Sequence, residues 1–547
     1  MPRRVRQLIA SPALWIALLT LALYLPSSAR VVQLSPDMVE YVDIARRLVD
    51  GEGYRLGIKA YFVGGTEVVT DGLLHRPPLL TVAIAALSWL GLDLRAVQAV
   101  HSLVGAIAAA LVCSIRALLF GKRIGIAAGI LAATNPVAST VQIPLMTEAL
   151  STLLTLALVR LLVGTVDRPA VWPFALAGVA VGFGYLARPP VLLLGLVAAG
   201  VTILVTSDRR RLIKPLLAMG AGAALVVVPM TLFSLVTRGR LIYLGKTYLY
   251  AVRSDRDVIE DGFFVQLSTP AEFIPANLHF IVETVASLAL TYVRWLFLDP
   301  AWLLPLLPAW PLAFLALVRG RYRRAVWIAL AVAIANYLFY SLTWASWQDR
   351  FLLPTLLLLL PFGVDGLFRA IERLLAVLAS TFQRPNVRAI SSTYLGCAFV
   401  VAVALAWLPR LVEQHQGEFS YLDRPTGTRV DAGLLWTGPP RWINDDDLAG
   451  VVTWTLARTE RDAVLAAGQP WPVSLFTGRP TVLIPHNLNE DDLRRFIDQY
   501  RVAYFLADGR DRTRRDYRTF LENMAEEGVR PTRIGAVTAF ETRALWR

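Results

Sequence analysis

The sequence predicts a polytopic α-helical membrane protein with about eleven transmembrane helices, followed by a small C-terminal extracytoplasmic α/β domain. Three observations carry this expectation. Hydrophobic residues make up 56% of the 547-residue chain, charged residues only 17%, and mean hydropathy is +0.52. That balance is too apolar for an ordinary soluble protein. Charge-free runs near the ~20 residues needed to cross a hydrocarbon layer recur as far as residue 408. From about residue 411 the composition turns soluble-like, and short β-branched runs alternate with polar amphipathic ones.

The net charge of +13 has a simpler source than nucleic-acid binding, because Lys and Arg accumulate in the cytoplasmic loops of membrane proteins. Cys113 and Cys397 both lie inside apolar runs, which argues against a disulfide framework or a metal cluster. No small-residue cleavage site follows the first apolar run, so it is read as a retained span.

The elements follow from hydropathy and from the basic clusters between them. Arg3, Arg4 and Arg6 precede a first span over 13–29, placing the N-terminus in the cytoplasm and the next loop, about 30–95, outside. The apolar run after Arg76-Pro77-Pro78 is short and reads as an interfacial helix. A second span over 96–119 ends at Gly121-Lys122-Arg123, and a third returns through Asn135-Pro136 to deliver Glu148 outside. Further spans alternate between outer turns at Arg188-Pro189-Pro190 and Asp349-Arg350 and inner clusters at 208–211, 319–324 and 369–388. A second long outer loop covers 238–299, and the eleventh span, over 392–408, exits at Pro409-Arg410. Residues 1–410 thus form a membrane domain and 411–547 the outer domain, with strands expected at 462–466, 481–484 and 502–507. Helices are expected at 444–458, 490–500 and 513–527, the second capped by Asn489 with acids in its first turn.

This topology gathers Asp37, Glu40, Arg76, Glu148, Arg188 and Arg350 at the outer ends of helices. Ionisable groups at membrane depth are costly, so their shared side hints at function. Each also has a structural reading. Asp37-x-x-Glu40 forms a capping box before an amphipathic helix. Arg76 and Arg188 suit interfacial anchors, Glu148 a helix start, and Arg350 an ion pair with Asp349. Together they suit sugar transfer from a polyprenyl phosphate. A carboxylate takes the proton of the acceptor hydroxyl, and arginines stabilise the departing phosphate. Asp37 fits the base, with Glu40 and Glu148 as further acids, while Arg76, Arg188 and Arg350 fit the phosphate clamp. His75 has no spaced partner and is a weak metal candidate.

The order of these motifs resembles the GT-C superfamily, in particular the aminoarabinose-transferase and protein-O-mannosyltransferase type of bacterial membrane glycosyltransferase. The resemblance runs through Ser35-Pro36-Asp37, Gly51-Glu52-Gly53-Tyr54, Arg76-Pro77-Pro78, Asn135-Pro136, Thr147-Glu148, Arg188-Pro189-Pro190 and Asp349-Arg350-Phe351-Leu352-Leu353-Pro354. It continues into Thr477-Gly478-Arg479-Pro480 and Tyr500-Arg501-Val502-Ala503-Tyr504. It implies a polyprenyl-phosphate sugar donor, an inverting single displacement and a first-loop aspartate as base. It also implies multi-pass residence in a bacterial plasma membrane and a lipid, glycan or protein acceptor on its outer face. His75 lies where some members carry a metal-binding acid, which leaves a divalent metal open. Met38 stands where the family often has a second acid, against a two-carboxylate site. The reading from a different class is a transporter or flippase of a lipid-linked saccharide. Such proteins commonly carry repeated halves with matching broken helices, and no matching halves occur here.

Overall fold

The computed structural model describes residues 10–30, 32–60, 67–74, 76–239, 275, 278–319, 324–343, 349–381, 392–416, 428–431, 434–436, 445–485, 488–507 and 515–546. His75, the N-terminal Arg3, Arg4 and Arg6, and most of the expected 238–299 loop lie outside them. The chain divides into two compact units, both discontinuous in sequence. One comprises 1–30, 98–242 and 282–424; the other comprises 31–97, 243–281 and 425–547. The segment between the first two long apolar helices therefore clusters with the C-terminal residues, whereas the sequence reading draws a single boundary at 410.

The first unit is helical. Pro12–Ala29, Leu94–Leu119, Arg209–Thr237 and Arg350–Leu378 are long and apolar enough to cross a membrane. The bent pair Lys122–Thr134 and Pro136–Gln142 adds a fifth if it counts as one span. Other expected spans are shorter helices, such as Val171–Ala187 with 17 residues and Pro190–Val205 with 16. The pair Lys122–Thr134 and Pro136–Gln142 bends by 61° at Asn135. There Asn135 Oδ1 accepts the Ala138 N–H at 2.9 Å and its Nδ2 donates to the Ala301 carbonyl at 2.9 Å. The cap starts a new helix, and the proline at its first position needs no amide partner. Elsewhere small residues set how closely helices approach, as in membrane bundles generally. A methyl group on Gly178 would lie 1.9 Å from the Met219 carbonyl oxygen, and one on Gly222 would lie 2.2 Å from that of Ala175. These contacts pack Val171–Ala187 tightly against Ile213–Arg238.

The second unit holds the described strands. In chain order they are β1 (Val32–Leu34), β2 (Arg55–Leu56), β3 (Ile58–Lys59), β4 (Thr70–Asp71), β5 (Thr428–Asp431), β6 (Leu434–Trp436), β7 (Val464–Ala467), β8 (Thr481–Leu483), β9 (Val502–Ala507), β10 (Pro531–Ile534) and β11 (Val537–Glu541). A six-stranded sheet has the order β10-β11-β9-β7-β8-β3. The pairs β9-β7, β7-β8 and β8-β3 are parallel, and the two pairs made by β11 are antiparallel. Every residue of β8 and β9 is buried, as expected of parallel strands covered on both faces. Phe496, Phe505 and Phe520 fill one cluster beside the sheet, and Leu448, Leu465 and Val473 another. β7, β8 and β9, with Asp445–Arg458, Glu490–Gln499 and Arg515–Glu526, overlap the runs read as strands and helices. The sheet is not built from C-terminal residues alone, however. β3 comes from the early segment and pairs Ile58 with Thr481 and Lys59 with Val482.

Candidate active site

The Pro36–Val49 helix is capped by Ser35, whose side chain accepts the Met38 N–H at 3.3 Å, with Pro36 in its first turn. The capping-box reading is thereby corrected, because Asp37 is already inside the helix and its carboxylate turns elsewhere. Arg76 donates from Nη2 to Asp37 Oδ1 at 2.5 Å and from Nε to Glu40 Oε2 at 2.6 Å. Glu40 Oε1 accepts the Trp471 indole N–H at 3.0 Å. Glu40 is 1% exposed and Arg76 6%, whereas the Asp37 side chain retains 20%. A buried charge must be paired and hydrogen-bonded, and this network meets that need while leaving Asp37 as its accessible end. Tyr54 fixes the turn that delivers Arg76, its hydroxyl lying 3.2 Å from both the Arg76 and Pro77 carbonyl oxygens and 3.0 Å from Thr81 Oγ1.

One turn further along the same helix Asp43 accepts from Arg47 Nε at 3.2 Å and from the Gly57 N–H at 2.7 Å. Burial raises the Asp43 carboxyl above its ordinary range, against the opposing pull of Arg47. Arg46 donates to the Leu475 carbonyl oxygen. The Pro470–Thr477 helix thus holds the Pro36–Val49 helix both at Glu40, through Trp471, and at Arg46, through Leu475.

A different arrangement occupies the helical unit. Glu148 stands in the first turn of Thr147–Val163. Its Oε1 lies 2.6 Å from Arg188 Nη1 and 3.1 Å from Arg350 Nε. The Arg188 guanidinium stacks 4.2 Å over the Phe351 ring and lies 5.5 Å from the Tyr340 ring. Asn336 holds the Asp349–Leu352 turn that presents Arg350 and Phe351, donating from Nδ2 to the Phe351 carbonyl and to Thr355 Oγ1, both at 3.0 Å. Glu148, Arg188, Arg350 and Phe351 line one small, tightly filled recess. The Asp349 side chain, expected to pair with Arg350, lies outside the described residues, and Arg350 pairs with Glu148.

The six expected site residues therefore form two sets. Asp37, Glu40 and Arg76 count two acids against one base, and Glu148, Arg188 and Arg350 one acid against two bases. Among the described residues no group of three or more His, Cys, Asp or Glu is placed to hold a metal ion. The sequence does not mark Trp471, Tyr54 and Phe351 as partners of these charges, since no spacing signal links an aromatic to a group distant in the chain.

Residues 75–233 match the family of dolichyl-phosphate-mannose-protein mannosyltransferases. The fold resembles ArnT from Cupriavidus metallidurans, with a TM-score of 0.58 over 97% of this chain and 99% of that one, at 12% identity. ArnT has also been solved with undecaprenyl phosphate bound. It further resembles the oligosaccharyltransferase AglB from Archaeoglobus fulgidus, with a TM-score of 0.57 over 91% of this chain and 69% of that one, at 13% identity. The chain has the GT-C fold. A third protein of GT-C fold, the arabinofuranosyltransferase AftD from Mycobacteria, matches with a TM-score of 0.53 over 96% of this chain and 40% of that one, at 13% identity. No curated protein sequence is significantly similar. On this GT-C fold Asp37 and Arg76 belong to the segment after the first long apolar helix, and Arg350 to the turn before the last of the spanning-length helices.

Proposed function

We propose that the chain is an inverting glycosyltransferase that moves a sugar from a polyprenyl-phosphate donor to a hydroxyl or phosphate of a lipid, glycan or protein acceptor, on the outer face of a bacterial plasma membrane. The observation that carries this reading is the division of charge between the two sets. Asp37 is the accessible carboxylate of an acid-rich network whose other members are buried, which suits a base that meets an incoming acceptor. The arginine-rich set around Phe351 suits an anion. The GT-C fold and the lipid phosphate on ArnT agree with it.

In this mechanism the acceptor oxygen forms a bond to the anomeric carbon of the donor sugar as that carbon's bond to the phosphate oxygen breaks. The bonding electron pair leaves with the phosphate, where Arg188 and Arg350 meet the developing charge. The proton of an acceptor hydroxyl goes to Asp37. Arg76, expected at the phosphate, is assigned to orienting Asp37, since two carboxylates already engage its guanidinium. Glu40 becomes a positioning residue, and Glu148 holds the two arginines at one place despite their like charge.

The test uses purified full-length protein with undecaprenyl- and decaprenyl-phosphate-linked pentoses and hexoses, together with a cell-envelope acceptor fraction. Release of free polyprenyl phosphate that depends on the acceptor supports the reading. Movement of intact donor across vesicles with no release would replace it with the transporter.

A further inference from the structure

A second recess in the helical unit lies far from the Glu148 set. The Trp310–Val318 helix and the Leu353–Thr381 helix pack closely at Gly366, where an added methyl group would come 2.2 Å from the Ala309 carbonyl oxygen. Beyond that contact they border an open recess of about 190 Å³ with an apolar wall that includes Leu315 and Ala316. Arg319, Arg369, Arg373 and Glu372 supply its charged lining. Arg369 is bonded to Asp365 at 2.7 Å, whereas Arg319 and Arg373 are exposed. Among the described residues the lining thus sets three cations against one acid.

Its depth follows from helix geometry. Arg369 is 19 positions beyond Arg350 on one continuous element. At 1.5 Å per residue this is about 28 Å, close to a full hydrocarbon thickness of ~30 Å. The recess therefore opens at the membrane boundary opposite the Glu148 set. On the membrane side of Arg319 the Trp310–Val318 helix leaves Phe314 66% and Val318 67% exposed, an apolar surface that acyl chains would cover.

We propose that this recess binds the headgroup phosphate of an anionic phospholipid from the leaflet opposite the proposed reaction. The apolar wall takes the upper acyl chains, while Arg319 and Arg373 meet the phosphate. A zwitterionic lipid brings its own ammonium group to the same cations and is disfavoured. The inference does not depend on the proposed transferase activity.

The test is native mass spectrometry of the purified full-length protein titrated with dioleoylphosphatidylglycerol, dioleoylphosphatidylcholine or sn-glycerol 3-phosphate. Phosphatidylglycerol should bind in preference to phosphatidylcholine. The Arg319→Gln/Arg373→Gln variant should bind it roughly 30-fold more weakly, the effect of two cations at a lipid surface. The Arg319→Lys/Arg373→Lys variant should retain most binding, which separates lost charge from lost folding. Equal binding of the two lipids, or unchanged phosphatidylglycerol affinity in the Gln variant, overturns the proposal. Displacement of the lipid by an equal concentration of glycerol phosphate also overturns it, by assigning the recess to a soluble phosphate.

Discussion

Ser35 satisfies the orphan amide at the start of the Pro36–Val49 helix, and this changes what a substitution at Asp37 can do. Asn at 37 leaves the cap intact, removes the charge beside Arg76 and cannot accept the acceptor proton. Transfer by purified Asp37→Asn should fall by ~10²–10⁴-fold with expression and donor binding near wild type. Near-normal transfer at normal stability removes Asp37 from the mechanism. Arg188 differs from a simple anchor because it stacks over Phe351 while bonded to Glu148. Arg188→Ala should lower kcat/KM by about 10²–10³-fold, with Arg188→Lys between it and wild type, since lysine keeps the charge but not the planar stack. Wild-type turnover in both variants makes Arg188 an anchor only. Lys59 is 1% exposed in β3, and burial pushes its ammonium down to about 8, against the opposing pull of Glu67. Because the unfolded chain holds this proton to a higher pH, the penalty is full below about pH 8 and fades as pH rises towards the ordinary lysine value of 10.5. Lys59→Met should therefore raise the apparent Tm at pH 7, with a smaller gain at pH 10. A gain that is the same at both values contradicts the burial argument.

At the scale of elements, the Pro470–Thr477 helix braces the helix that carries Asp37. Its Trp471 indole N–H reaches Glu40, Glu40 holds Arg76, and Arg76 holds Asp37. Trp471→Phe keeps the ring but leaves one oxygen of a buried carboxylate without this donor, at a cost of about 1–3 kcal/mol. If the chain of contacts orients the base, kcat falls by roughly tenfold, the donor KM stays near wild type, and the pH profile of kcat shifts. A Tm loss with unchanged kcat and pH profile would show that Trp471 only packs. Glycines set spacing elsewhere, since Gly178 and Gly222 permit carbonyl contacts that any side chain would block.

At the scale of the molecule, the proposal needs Asp37 and the C-terminal residues on the side away from the basic clusters. Ser207, beside Arg209-Arg210-Arg211, and Asp462, just before β7, are both exposed. In a background with Cys113 and Cys397 replaced, a cysteine at 462 should react with an impermeant thiol reagent in intact cells, and one at 207 only after permeabilisation. Reversed labelling would discard the outer-face assignment. The two units interleave along the chain, so C-terminal truncation should reduce accumulation of the whole protein rather than release an intact membrane part.

Hydropathy, basic clusters and proline-bounded motifs determined by themselves the helical membrane class, the long helices at 12–30 and 94–119, and the residue types of both charged sets. These signals are local, because a span has to be apolar along its own length and a cap lies within four residues of its amide. Tertiary structure alone decided the pairings. Asp37 and Arg76 are 39 positions apart, and Glu40 and Trp471 are 431 apart, so no local period links them. It also placed β3 beside β8 and Arg350 against Glu148. The physical reason is common to all of these. A buried charge or an open strand edge must find its partner wherever the fold supplies one, and chain order does not record where that is.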